Sequence, residues 1–566
     1  MRVKKQILIV VLFIFSLNAH AFEADFIVDK SVDDTVYAPG SELITQIRLH
    51  LLGEEYADWA PDLNWDRLRR FYASRQYLPI WTNTDKSPTE HARLLRDAII
   101  FAWNEGLNPA EYHEDPLRYM WRARREVTMA RRELLLTDAF FRYVREVKAG
   151  YFYPKSVDFD WKLPRKKLNV VKQLLKYLAS PEPEAFLAQL PPDNPSYKAL
   201  KNALANYRTI ALDGGWTKIS HGPSLRIGDK GKRVKQVKQR LLEQGYLTAM
   251  SVQSATMDVF DATMEAAVKH YQKNNGHIVD GVVGGATRRS LNRSIKYQIA
   301  EIKKNMERWR WIPRDLGKTY VQVNMAAYEL QMVENNAEVL RMPVIVGKTE
   351  HATPSFIDTM EYLEFNPSWN VPPRIAKEDF LPKLQEDSSA FLKANNLKVY
   401  NGWNKKAKEV DPEKIDWSKY SSDRWFPFKL EQIPGAHNSL GRIKFMFPNK
   451  YRVYIHDTPD KKLFDRYVRT FSSGCVRVSE PKVLAEKILE REGSWSSDKI
   501  QQIIDEGETK KVELSHRWPV YLLYWTAWVD EDGMVNFRRD VYGRNRLIAA
   551  GAEPEYDNLL LAQNSH

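Results

Sequence analysis

Apolar residues recur at three- and four-residue spacing from about residue 61 to 220, which predicts a run of amphipathic helices. "LRRFYASRQYLPIW" and "ARLLRDAIIFAWNEGLNPAEY" follow that period and stop at Gly106 and Pro109. "LLLTDAFFRYVREVKAGY" repeats it and stops at Gly150. Residues 22–60 carry no clear period. At about 224–293 a smaller helical unit reads "SLRIGDKGKRVKQVKQRLLEQGYL", then "FDATMEAAVKHYQKNNGHIVDGVVGGATRRSLN". Asp229 is expected to cap a helix with the stripe Val234, Val237, Leu241 and Leu242, ended by Gly245. A second helix is expected over Ala262–Lys273, and part of a third over Thr287–Leu291.

From about 317 to 515 the period shortens. "KTYVQVNM", "YELQMVE", "EVLRMPVIVG", "RIKFMF" and "YRVYIH" are short, rich in β-branched and aromatic residues, and bounded by Gly, Pro and Asn. A mainly-β domain is expected there. Residues of about 375–440 are long, polar and weakly patterned, the mark of a lid or a flexible insertion. "PKVLAEKILERE" predicts a helix. The segment 516–566 opens with what reads as two strands joined by an Asp-Gly turn, expected to return to the helical scaffold.

The first 21 residues change the setting. Met-Arg-Val-Lys-Lys, an apolar run from Ile7 to Leu17 and Ala19-His20-Ala21 have the form of a secretory leader, too short to span a bilayer. Whether it is cleaved stays open; uncleaved, it would be the chain's only membrane contact. The net charge is +12, or about +9 without Arg2, Lys4 and Lys5. That balance suits an anionic partner such as a carboxylate-rich wall polymer, or is plain solubility charge. An exported chain without a recognition motif gives no support to nucleic-acid binding. "GDKGK" lacks phosphate-loop spacing and "GVVGG" follows no strand, so neither is a nucleotide site.

The only cysteine, Cys475, lies in "RTFSSGCVRVSEP". An unpaired thiol in an exported protein is either an inert core residue or a nucleophile. A neighbouring base or cation makes it the latter by favouring the thiolate. Gly474 permits a tight turn, and Arg477 is a nearby cation. His456 ends "YRVYIH" 19 residues earlier, and strands joined by such a loop can return side by side. No H-E-x-x-H and no second Cys is present for zinc.

Two resemblances join these parts. The module at 224–293 resembles the peptidoglycan-binding domain family through L-R-x-G-D-x-G-x-x-V, R-L-x-x-x-G-Y, F-D-x-x-T, A-V-x-x-x-Q and D-G-V-V-G-x-x-T. The stretch 454–478, "YIHDTPDKKLFDRYVRTFSSGCVRV", resembles the L,D-transpeptidase signature of the YkuD-type fold. That signature is a His, a spacer, then [ST]-x-G-C-hydrophobic-[NR]; many members have His and Asn where this chain has Ser473 and Arg477. Ser-Ser-Gly-Cys-Val-Arg is similar to the large periplasmic, YcbB-like branch, as are "VGKTEHATPSF", "FNPSWNVPPRI" and "PGAHNSLGRIKFMFPN". The resemblance implies a multidomain α+β protein: a helical scaffold over 61–220, a three-helix peptidoglycan-binding module over 224–293, and a catalytic domain over 317–515 with a capping insertion.

It further implies a periplasmic wall enzyme. Cys475 would attack the diaminopimelate carbonyl of a donor tetrapeptide and expel D-Ala, and a second stem's amine would resolve the thioester into a 3→3 crosslink. His456 would donate and accept the protons, and the Asp457 carbonyl would orient its ring. The N–H groups of Gly474 and Cys475 would hold the oxyanion. Tyr454 would line the donor site or be a core tyrosine. Ser472 would hydrogen-bond near the thiol or shape the turn, and Ser473 belongs to the same binding loop. Arg477 would bind a stem carboxylate, favour the thiolate, or pair with a residue such as Glu480. Trp425 and Asn438 would shape the groove. Expected partners are stem peptides and glycan, with other wall synthases as candidates; no metal or organic cofactor is needed. Water as acceptor would give an L,D-carboxypeptidase or endopeptidase, and an idle thiol a wall-binding scaffold open to no carbapenem acylation.

Overall fold

The computed structural model describes residues 37–548, apart from 39, 54–58, 252–255 and 405. The leader expected over 1–21 lies outside the described residues. Among these, no helix is long and apolar enough to cross a membrane. The chain forms a helical N-terminal region, a small three-helix module and a mainly-β domain.

The helical region is built around Glu126–Ala149, whose Leu134, Phe140 and Val144 are fully buried. Glu42–Leu52, capped by Ser41, Trp65–Ser74, Glu90–Ile100 and Val170–Leu178 share its core. Glu133 lies inside that core. Its carboxylate accepts from the N–H groups of Ile80 (3.0 Å) and Trp81 (2.9 Å) and from Thr82 Oγ1 (2.7 Å), so the buried acid is satisfied by donors.

The small module has helices Lys232–Glu243, Ala262–Asn274 and Gly285–Leu291 around Val234, Val237, Leu241, Phe260 and Tyr271. Asp229 does not cap the first helix. Gly231, at φ +121°, starts it, and the Asp229 carboxylate instead accepts from Arg226 N–H at 2.9 Å. The glycine turns the chain between Asp229 and the helix, which takes the carboxylate off the axis.

The strands are β1 (Tyr320–Asn324), β2 (Glu329–Glu334), β3 (Ala337–Gly347), β4 (Phe356–Phe365), β5 (Trp369–Asn370), β6 (Leu397–Tyr400), β7 (Lys429–Gln432), β8 (Ile443–Met446), β9 (Ile455–His456), β10 (Thr470–Ser472), β11 (Val476–Val478), β12 (Lys510–Leu523), β13 (Ala527–Val529) and β14 (Val535–Phe537). Nine form one sheet in the order β10-β3-β11-β9-β8-β4-β12-β1-β2, and pairing of β2 with β3 closes it on itself. Pairing of β2 with β3 encloses an apolar core. Leu363, Phe445, Ile455 and Val476 stand opposite one another across β4, β8, β9 and β11, all with no exposed surface.

Three expectations need correction. "YRVYIH" is a strand only at Ile455–His456. Asn449 Oδ1 accepts from the N–H groups of Tyr451 (3.1 Å) and Val453 (3.2 Å), and Arg452 sits at φ +57°, so the first half is a turn. The insertion is the expected cap, but folded rather than flexible: β5, β7 and β6 form a small sheet with their own core, including Leu384, Val399, Trp417 and Phe426. Residue 516 falls inside β12, a central strand of the large sheet, so that sheet runs on to Leu523. Beyond it, β13 and β14 form the hairpin, and Trp525 stacks on Trp309 of helix Ile295–Trp311 with centroids 4.6 Å apart.

Phe445→Ala is expected to destabilise the β domain by about 3–5 kcal/mol, read as a lowered unfolding transition in calorimetry.

Candidate active site

Strand alternation puts every second residue on the face opposite the core. Across β4, β8, β9 and β11 that face carries a row of Glu364, Lys444, His456 and Arg477, each opposite the next. A second row runs beside it. Tyr362 is opposite Met446, and Val476 N–H donates to the Tyr454 carbonyl at 3.1 Å, bringing Cys475 beside Tyr454. The parallel pairing of β9 with β11 therefore sets Cys475 and Arg477 on the same face as Tyr454 and His456. The Tyr454 and His456 rings meet edge to face at 5.5 Å.

The turn before the thiol is fixed from several sides. Gly474 adopts φ +121°, which a side chain strains. Ser472 Oγ donates to the Cys475 carbonyl at 2.5 Å and accepts from Gly474 N–H at 3.1 Å. Ser472 thus performs turn chemistry, and the Gly474 N–H expected for an oxyanion is already engaged. Among the described residues, the Ser473 and Cys475 N–H groups donate to no protein acceptor. Thr353 Oγ1 donates to the Gly474 carbonyl at 2.8 Å and accepts from Gly347 N–H at 2.9 Å. Arg544, from beyond the hairpin, donates to the Thr353 carbonyl at 2.8 Å.

His456 Nδ1 lies 2.5 Å from the Asp457 carbonyl. A carbonyl only accepts, so Nδ1 carries the proton and Nε2 is left as the base. The Asp457 carboxylate accepts from Arg442 N–H, Thr458 N–H and Lys461 Nζ, each at 2.7 Å. A Cβ at Gly441 would come within 2.2 Å of Asp457 Oδ2, so only glycine fits there.

With this geometry in view, the likeness to known proteins is specific. Residues 318–505 match the model of the L,D-transpeptidase catalytic domain. The chain carries a YkuD-type L,D-transpeptidase catalytic domain. Residues 230–291 match a putative peptidoglycan binding domain and 66–204 a scaffold domain. A putative L,D-transpeptidase of Haemophilus influenzae is 35% identical over 244 residues, which cover 43% of this chain and 48% of that protein. An N-acetylmuramoyl-L-alanine amidase of Mycobacterium tuberculosis is 33% identical over 78 residues, 13% of this chain and 19% of the amidase. The matches thus span about half or less of these relatives. The crystal structure of an L,D-transpeptidase from Stackebrandtia nassauensis matches at 13% identity and TM-score 0.20, over 54% of this chain and 96% of that one, too low to carry an argument.

Within the transpeptidase domain the Cys475 thiol and the His456 imidazole are both held in their neutral forms. Burial, then the Arg477 charge, pushes His456 down to about 3. Burial pushes the Cys475 thiol up, outweighing the opposing pull of Tyr454, Lys444 and Arg477. Arg477 pulls toward the thiolate, as expected of a neighbouring cation, but desolvation is the larger effect. The thiol donates to the Arg452 carbonyl at 3.8 Å, and no hydrogen bond links it to the imidazole among the described residues.

Other expected residues sit differently. Arg477 pairs with Asp460 at 3.4 Å, not with Glu480. Asn438 is buried and faces no groove: its Nδ2 donates to the Pro367 and Ile433 carbonyls at 3.0 Å, and its Oδ1 accepts from Leu440 N–H at 2.8 Å. It holds the return of the cap, whose Leu440 carbonyl faces the His456 ring. Trp425 is 77% exposed on the cap, and Ser473 is exposed beside the thiol. Sequence reasoning missed Trp369, whose side chain reaches Tyr454 from the cap, Thr353 and Lys444. The polar positions alternating with "IKFM" were the available signal for Lys444.

Iodoacetamide alkylation of Cys475 is expected to rise with pH along a curve displaced to higher pH than that of an exposed cysteine in a reference peptide, since burial raises the thiol; a curve displaced to lower pH contradicts this. A second expectation concerns stability. The folded state resists protonating His456, so its contribution is full above about pH 6.5 and is lost as pH falls toward 3. Wild type should lose up to about 5 kcal/mol relative to His456→Gln over that window, measured by urea unfolding.

Proposed function

We propose that this protein is an L,D-transpeptidase that makes 3→3 crosslinks between peptidoglycan stems through a thioester on Cys475. The observation that carries the reading is the shared face of Cys475 and His456, with Nδ1 committed to a carbonyl and Nε2 left unprotonated. A neutral thiol beside a neutral base suits proton transfer during attack rather than before it.

In the first half-reaction the thiol turns from Arg452 toward His456. Nε2 takes its proton as Sγ bonds to the diaminopimelate carbonyl carbon. The oxyanion is received by the free Cys475 N–H, with the Ser473 N–H beside it, because Ser472 occupies that of Gly474. Collapse breaks the C–N bond, and His456 returns the proton to the departing D-Ala amine. The side-chain amine of a second stem then attacks the thioester and loses its proton through His456, leaving an amide and the free thiol. Arg477 and Tyr454 border the donor. The module at 230–291 supports a wall substrate and hence an extracytoplasmic location; the leader-like start of the chain favours the periplasm.

Incubation with disaccharide tetrapeptide, followed by mass spectrometry, tests this. Wild type is expected to release D-Ala and form dimers, Cys475→Ala to form none, and His456→Gln to slow acylation about 10²–10⁴-fold. Tripeptide without dimer would assign water as the acceptor and overturn the crosslinking reading.

A further inference from the structure

Lys444 is an ammonium group with unused donors on the same face of the sheet as Cys475, opposite His456. Its side chain is only 15% exposed, in the row between Glu364 and His456. The Glu364 carboxylate is 3.6 Å away, too far for a good hydrogen bond, and the other contact is the Tyr454 ring, with Nζ 4.6 Å from its centroid. Among the described residues Nζ makes no hydrogen bond. Nζ keeps some contact with solvent, so water can meet its three donors until an anionic ligand displaces it. A ligand carboxylate would satisfy them at the point where Tyr454 adjoins Cys475. Arg477, the other cation of the row, already has Asp460 at 3.4 Å. The opposing acid, Glu364, holds Lys444 loosely enough to share it.

The reaction proposed above presents one such anion at a fixed distance. The donor stem ends one residue beyond the bond that is broken, in a free carboxylate. We propose that Lys444 receives that terminal carboxylate, and so positions the scissile carbonyl over Cys475 and selects donors that end one residue past it. This rests on the transpeptidase reading. The step adds no covalent chemistry: the carboxylate exchanges its water shell for Nζ donors and leaves with the released amino acid.

The test compares two donors, the tetrapeptide with a free C-terminal carboxylate and the same peptide amidated there, by rate of acyl-enzyme formation in mass spectrometry. Wild type is expected to acylate at least about 10-fold faster with the carboxylate donor. Lys444→Met should bring that donor down to the rate of the amide, while Lys444→Arg keeps the preference. Iodoacetamide rates of all three proteins report the thiol and the fold independently. Equal wild-type rates on the two donors, or an unchanged ratio in Lys444→Met, overturn the assignment. Should Lys444→Met fail to fold, Lys444→Gln and the wild-type ratio decide in its place. If wild type forms no acyl-enzyme with either donor while its thiol alkylates normally, the transpeptidase reading fails, and this assignment with it.

Discussion

Two very short strands, Ile455–His456 and Val476–Val478, lie side by side in parallel, and the chemistry of the molecule depends on that register. A slip of one residue would exchange the two faces. His456 and the segment carrying Cys475 would then point into the apolar core, and Ile455 and Val476 into the cap. The strands are too short to set their own register. It is imposed by the closed sheet, in which β8 and β3 flank them and Phe445 and Val344 fill the core beneath.

The same burial that secures the register governs the electrostatics. Desolvation opposes charge on imidazole and thiol alike, and the neighbouring Arg477 and Lys444 oppose a protonated His456 further. They pull the thiol the other way, but burial wins. The resting site is thus neutral and flanked by cations. Such a site keeps the Cys475 thiol protonated in the absence of substrate. The orienting group is a carbonyl rather than a carboxylate, which fixes the tautomer without inviting a permanent imidazolium.

Support for the site comes from distant parts of the chain. Arg544 reaches Thr353, and Thr353 holds the Gly474 carbonyl; the folded cap brings Trp369 to Tyr454 and, through Asn438, sets the segment of Leu440 against the His456 ring. These contacts link the hairpin end and the cap to a loop of a few residues. They hold the thiol loop in place although little of it is in regular structure.

The sequence by itself determined the helical, three-helix and β parts, because apolar periodicity survives any tertiary arrangement. It also exposed the Cys475 loop, because a lone thiol after a glycine is chemically conspicuous. What it left undecided depends on residues far apart in the chain. Whether Ser472 shapes a turn or serves the thiol, whether Asn438 faces a groove or a backbone, and whether Arg477 meets Asp460 or Glu480 are set by packing and by competition for hydrogen bonds. The protonation of Cys475 and His456 is decided likewise. Spacing cannot show desolvation, and desolvation is the larger effect on both.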